Sequence, residues 1–223
     1  MLALESAVYH SPGYRIAELP TPVPSGYVRY GKRIFDCLVA ALVTLLLLSW
    51  LIPVVGLLIR LTSRGPVFFR QRRTGQNGRE FWCLKFRTMH HNPRAAFAQA
   101  ARNDPRVTRI GRFLRRSNLD EMPQFLNVLM GDMSVVGPRP HPVQLDENYW
   151  FTLPSFYVRY QVRPGITGLA QVRGARGETK SQEKMRMRVR YDTLYVRRQS
   201  LWLDIWLCIM TVVSMLRGNV NAW

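Results

Sequence analysis

The longest apolar run in the chain extends from about Ile34 to Ile59, and within it Cys37–Ile59 is a stretch of 23 residues without a charge. As a helix that stretch would be about 35 Å long, beyond the roughly 20 residues needed to cross a bilayer. No small-residue cleavage site follows it, which argues against a secretory signal. Val67–Phe69 and Glu80–Phe86 are short aromatic-rich runs separated by Asn77-Gly78, the pattern of a β-hairpin. Pro93–Ala101 is alanine-rich and predicts a helix; a second is predicted near Met122–Met130, stopped by Gly131, and a third across Tyr149–Tyr160. Pro164–Gly168 reads as a loop, residues 178–199 alternate charge with a helical period, and Leu201–Leu216 is a second apolar segment broken only by Asp204. Residues 1–29 carry Pro12, Pro20, Pro22 and Pro24 with little periodic hydrophobicity and read as a tail, extended or disordered. The sum is an α+β chain dominated by helix: a tail (1–29), a membrane helix (30–62) and one cytosolic domain (63–223) with a membrane-associated last helix.

Charge decides how the first apolar segment sits. Lys32 and Arg33 precede it, and Arg60, Arg64, Arg70, Arg72 and Arg73 follow it. Cytoplasmic flanks accumulate Lys and Arg, so both ends ask to be inside. A helix that enters and returns on the same side satisfies both; Pro53 supplies the bend, and the Ser49 hydroxyl is a candidate partner for a freed carbonyl. An ordinary spanning helix with a tolerated proline is the alternative. Leu201–Leu216 fits either a core helix or one lying on the membrane, with Trp202, Trp206 and Trp223 suited to the interface.

The net charge of +18 is mostly arginine, with lysine only at 32, 85, 180 and 184. Guanidinium groups pair bidentately with phosphate oxygens, so the expected partners are phosphate-rich: nucleic acid, anionic lipid or a nucleotide diphosphate. Cys37, Cys83 and Cys208 are too few and too scattered for a disulfide framework or a zinc site, which fits a reducing compartment.

Against that charge, Asp120 and Glu121 stand out as adjacent carboxylates at an expected helix start, where Pro123 suits a first turn. Neighbours on a helix point about 100° apart, so the two acids cannot share one proton but can divide labour, one attacking and one holding a cation. Ser117-x-x-Asp120 also matches a capping box, in which Asp120 would only satisfy backbone donors. Arg109, Arg112, Arg115 and Arg116 precede the pair, and Gly137-Pro138-Arg139-Pro140-His141-Pro142 follows it. Prolines on both sides of Arg139 limit its backbone, and Arg163 leads into a glycine loop able to approach a ligand. Carboxylates, a cation and convergent arginines are what phosphoryl transfer requires.

Five blocks carry a resemblance: Lys32-Arg33-Ile34-Phe35-Asp36; Gly65–Gln71 with Leu84–Met89; Leu119–Gln124; Gly131–Pro140; and Arg163–Ala170. In this order they resemble the bacterial sugar transferases, the monotopic phosphoglycosyl transferases, from Lys32 to the C-terminus. The resemblance implies transfer of a hexose 1-phosphate from a UDP-sugar to undecaprenyl phosphate with release of UMP, a first membrane step of exopolysaccharide or other glycan synthesis. It makes Asp120 the nucleophile of an aspartyl phosphosugar intermediate and Glu121 a Mg²⁺ ligand. Lys85, Arg87, Arg112, Arg139, His141 and Arg163 become candidate substrate contacts. The implied location is the cytoplasmic face of a bacterial inner membrane, with a re-entrant anchor bent at Ser49 and Pro53. Here the sequence departs from the family's Ser-Pro pair, because Trp50 follows Ser49 and the proline comes at 53. Gly174–Thr179 and Pro140-His141-Pro142 are similar to the glucose-1-phosphate transferases, so UDP-glucose is favoured over UDP-galactose. A homodimer is compatible with the sequence but not demanded by it. The competing reading is a non-catalytic, membrane-anchored basic protein binding nucleic acid or anionic lipid; it gives Asp120 no role, and the enzyme reading in turn needs no nucleic acid.

Overall fold

The computed structural model describes residues 25–92, 104–149, 152–153, 155–175, 177 and 181–217. The alanine-rich segment at 93–101, Trp223 and all but the end of the N-terminal tail lie outside these. Helix begins at Tyr27, three residues before the expected boundary, and runs unbroken to Thr62. Within it a π-helical turn at Tyr27–Gly31 leads into α1 (Lys32–Val43), and a second at Thr44–Leu48 leads into α2 (Ser49–Thr62). Among the described residues this is the one helix long and apolar enough to cross a membrane.

One face of this helix is buried along its whole length, through Asp36, Ala40, Leu48, Leu51, Val55 and Ile59. The opposite face exposes Ile34, Leu38, Leu42, Leu45, Trp50, Leu57 and Leu61. The middle is locally irregular. Ser49 Oγ donates to the Leu45 carbonyl at 2.7 Å and Trp50 Nε1 donates to the Leu46 carbonyl at 3.0 Å, both carbonyls belonging to the π turn. Such insertions of side-chain donors into the helical ladder accompany bends, and Pro53, lacking an N–H, removes another rung.

The hairpin forms as the pattern predicts: β1 (Phe68–Thr74) pairs antiparallel with β2 (Glu80–Phe86), and Asn77 takes a left-handed φ of 55° in the turn. Two helices follow, α3 (Arg109–Arg116) and α4 (Gln124–Met130), with Gly131 at φ 95° ending the second. Asn127 of α4 covers the free edge of β2, accepting from Leu84 N at 2.9 Å and donating to the Trp82 carbonyl at 2.8 Å. The expected 164–168 loop is instead partly strand: β4 (Gly165–Thr167) pairs parallel with β3 (Ser134–Val136). Its glycine serves the chain itself, because a Cβ on Gly165 would lie 2.0 Å from Gly137 N. The helix expected at Tyr149–Tyr160 is displaced: α5 (Val143–Tyr149) ends at the first residue of that range, and Phe156–Tyr160 forms a 3₁₀ turn. Then come α6 (Leu169–Val172), α7 (Gln182–Arg198) and α8 (Leu201–Leu216), the last two capped by Ser181 and Ser200.

One apolar core joins the anchor to the rest, mixing Ala40, Leu48 and Ile59 with Phe81, Phe86, Leu114, Val128, Met133 and Leu207. Both ends of the anchor are tied to this body. At the start, Arg33 donates to the carbonyls of Val128 and Leu129 at 2.6 and 3.0 Å, and Asp36 accepts from Ser134 Oγ and Val135 N. At the end, Arg87 Nη2 donates to the Ser63 carbonyl at 2.8 Å. Asp204, the charge within the second apolar segment, turns inward to Lys32 at 2.9 Å and to the hydroxyls of Tyr27 and Tyr195. That leaves Trp202, Ile209, Val212 and Leu216 exposed on the other face of α8.

Candidate active site

Ser117 does not cap the turn that carries the acids. Its hydroxyl donates back to the carbonyls of Phe113 and Leu114, ending α3, and Asn118 then takes φ 56° to redirect the chain. Asp120 and Glu121 occupy the 3₁₀ turn Leu119–Glu121 just ahead of α4, so the capping-box alternative is excluded. The two side chains face one cavity of about 1370 Å³ but meet different surroundings.

Glu121 is neutralised. Lys85 Nζ donates to Oε1 at 2.6 Å, and Arg139 grips both oxygens, Nη1 on Oε2 at 2.9 Å and Nη2 on Oε1. Burial opposes ionisation of Glu121, but Arg139 and then Lys85 hold its carboxyl well below the usual range. Asp120 accepts no hydrogen bond from any described residue, though it is the more buried of the two. Burial pushes its carboxyl up to about 6, Lys85 pulling the other way and the Glu121 charge adding to the rise. One acid is locked as an anion inside a fork of cations; the other is left unengaged, with its ionisation balanced near neutrality.

The grip on Glu121 depends on a prepared Arg139. The Arg139 carbonyl accepts from Arg159 Nη2 at 2.6 Å, and the next carbonyl, Pro140, accepts from Arg73 Nη1 at 2.6 Å. Arg159 is itself paired with Asp192 of α7 at 3.1 Å. His141 lies among these arginines, its ring within hydrogen-bond reach of Arg159 and 3.2 Å from Asp146 Oδ1. Burial, then the charges of Arg159, Arg188 and Arg73, push its pKa well below the ordinary value, so the ring is neutral at pH 7.

The candidate residues separate into groups. Lys85, Arg139 and Glu121 come together beside Asp120, and His141 lines the same cavity. Arg87 reaches its rim but donates to the carbonyls of Ser63 and Arg64 at the end of α2. Arg112 is exposed on α3 and Arg163 donates to the Gly131 carbonyl at 3.0 Å; neither lines the cavity. Arg115 does. It faces Asp120, partly lowers that group's pKa, and is held by a 2.9 Å bond from its Nε to Thr88 Oγ1. The helical period could have found it, because Gly111 and Leu114 are the buried residues of α3 and Arg115 follows on the same face. Arg73 and Arg159, which act on backbone carbonyls, carry no sequence signal beyond being arginine.

The profile of the bacterial sugar transferase family matches residues 27–218. A UDP-glucose:undecaprenyl-phosphate glucose-1-phosphate transferase of Caulobacter vibrioides is 49% identical over 91% of this chain and 75% of its own length. The protein of that name in Escherichia coli K12 is 47% identical over 90% of this chain, which spans only 42% of that relative. An exopolysaccharide production protein of Rhizobium leguminosarum, PSS, is 45% identical across 84% of this chain and 96% of itself. With the match covering the anchor, the acid turn and the Arg139 segment alike, the chain belongs to the bacterial sugar transferase family, as a phosphoglycosyl transferase.

Proposed function

We propose that this protein transfers glucose 1-phosphate from UDP-glucose to undecaprenyl phosphate at the cytoplasmic face of the inner membrane. The observation that carries the reading is the contrast between the paired carboxylates: Asp120 unengaged beside a cavity, and Glu121 held by Lys85 and Arg139. An Asp120 oxygen attacks the β-phosphorus of the UDP-sugar. The bond from that phosphorus to the bridging oxygen breaks, and UMP leaves with the electron pair. An oxygen of the lipid phosphate then attacks the aspartyl phosphosugar, the Asp120 O–P bond breaks, and the carboxylate is restored. Lys85, Arg115 and Arg139 neutralise the diphosphate while it reacts. The preference for glucose rests on the names of the Caulobacter and Escherichia relatives and on Gly174–Thr179.

Mg²⁺ fits this donor set. Among the described residues no three carboxylate, histidine or cysteine side chains converge. Mg²⁺, however, is commonly held by one or two carboxylates with substrate phosphates supplying other oxygens. Glu121 would hold it, with Lys85 released from that carboxylate toward phosphate. When bound, the ion supplies charge neutralisation of the diphosphate.

The anchor is re-entrant in this reading. A 36-residue helix is about 54 Å long, and both its ends are tied to one body while its buried face follows that body throughout. The exposed apolar face then dips into one leaflet. If cysteines placed at 30 and 64 label from opposite sides of sealed vesicles, the anchor is a span instead.

The deciding experiment is UMP release by detergent-solubilised protein across a panel of UDP-sugars, with Mg²⁺ and undecaprenyl phosphate. UDP-glucose should turn over fastest, and Asp120→Asn should lower the rate by roughly 10⁴-fold or more while melting like wild type. Preserved turnover in that variant would remove Asp120 from its role, and a different preferred sugar would replace glucose.

A further inference from the structure

The lining of the cavity around Asp120 includes an apolar portion, its second arm. Val39, Val43 and Leu47 line it from the anchor, spaced four apart on one helical face. Cys208, Thr211, Val212 and Met215 line it from α8, spaced i, i+3, i+4 and i+7. These two stripes border one space, and no residue of either is charged. Ile166 and Thr167 line the same cavity. The Thr167 and Thr211 hydroxyls are 2.6 Å apart, and Thr211 Oγ1 donates to the Leu207 carbonyl at 2.7 Å, so both hydroxyls are satisfied within the wall.

Some residues of this apolar portion are also exposed at the apolar surface. Val212 is 55% and Leu216 83% exposed, and Leu42 and Leu46 flank the anchor's side of it with 58% and 67% exposure. Inward it joins the same cavity as Asp120, Lys85 and Arg139. One end is therefore cationic and buried, the other uncharged and open toward the surface that meets lipid. A nucleotide or a hexose cannot occupy the apolar arm without losing hydration it does not recover there. An amphiphile with a phosphate head and a hydrocarbon tail matches both ends.

We propose that the cleft between α1 and α8 receives the first isoprene units of the acceptor, resting on the transferase reading above, so that the lipid phosphate reaches Asp120 sideways from the membrane. The donor occupies the cationic arm, and the two substrates meet at Asp120 from different directions.

The test separates the two half-reactions. Val212→Trp fills the cleft from an exposed position, and Val43→Phe fills it from the opposite wall. Each variant is assayed for the single-turnover burst of UMP from UDP-glucose without acceptor, and for the KM of undecaprenyl phosphate against a short alkyl phosphate that lacks isoprene units. The expected result is an unchanged burst, a rise of at least tenfold in KM for undecaprenyl phosphate, and a smaller rise for the short acceptor. Unchanged KM for the long acceptor in both folded variants overturns the proposal, as does an equal rise for both acceptors. In addition, a photoreactive residue at position 212 of the otherwise intact protein should label undecaprenyl phosphate, with excess undecaprenyl phosphate competing and phosphatidylglycerol not. Equal competition by phosphatidylglycerol makes the cleft a general acyl-chain groove and overturns the assignment. Absence of any burst in the wild-type protein counts against the aspartyl mechanism, while the labelling still decides the cleft.

Discussion

Arg139 directs its guanidinium at the Glu121 carboxylate inside the cavity, whereas Arg87 and Arg163 direct theirs at backbone carbonyls where α2 and α4 end. These two regions use one residue type for opposite ends. At a helix C-terminus the unsatisfied carbonyls carry partial negative charge, and a guanidinium there closes the helix and fixes the loop beyond it. In the cavity the same group faces a full charge in a space a substrate can enter, and its grip on Glu121 can be exchanged for a grip on phosphate. Arg159 and Arg73 belong to the first kind although they stand beside the site, because the carbonyls they hold are those of Arg139 and Pro140. The difference teaches that arginine abundance near a motif measures both scaffolding and chemistry, and only the partner of each guanidinium separates them.

The comparison breaks most visibly at Arg139. Arg139→Lys keeps a charge but loses the bidentate fork, and should lower the single-turnover rate of UMP release by roughly 10²–10³-fold, the range for losing one positioned donor. A loss below fivefold would move Arg139 into the scaffolding group.

Asp120 supplies the next effect. In the proposed mechanism the attacking group is the carboxylate, so protonation removes activity: with its pKa raised to about 6, the burst rate should be flat above pH 7 and fall about tenfold per unit well below 6. Arg115 favours the ionised form, so Arg115→Met should move that acid limb to higher pH, with a rate loss at pH 7 of roughly 10- to 100-fold for a lost charged contact. An unmoved limb would assign Arg115 to Thr88 and the scaffold alone.

Arg163→Met should give the smallest change in rate. It leaves the Gly131 carbonyl without its donor, so unfolding free energy should drop by about 1–3 kcal/mol in denaturant titration, with the KM for UDP-glucose within threefold of wild type. A large rise in KM at unchanged stability would return Arg163 to the substrate contacts.

The sequence by itself determined the features whose physics is local. The 23-residue uncharged run, the Asn77-Gly78 hairpin, the Gly131 stop and the adjacency of Asp120 and Glu121 need only neighbours in the chain, and each was readable from side-chain period or turn chemistry. Tertiary structure decided what depends on distance. Ser117 could cap forward or back, and the continuation of α3 to Arg116 sent it back. The 164–168 glycine segment looked like a loop because parallel pairing with residues 134–136 leaves no local pattern for so short a strand. Lys85, some 36 positions from Glu121, reaches it only because the hairpin packs over the acid turn. Two neighbouring carboxylates of one chemistry became a locked anion and an unengaged one, since a pKa is set by burial and by charges that folding, not sequence order, brings near.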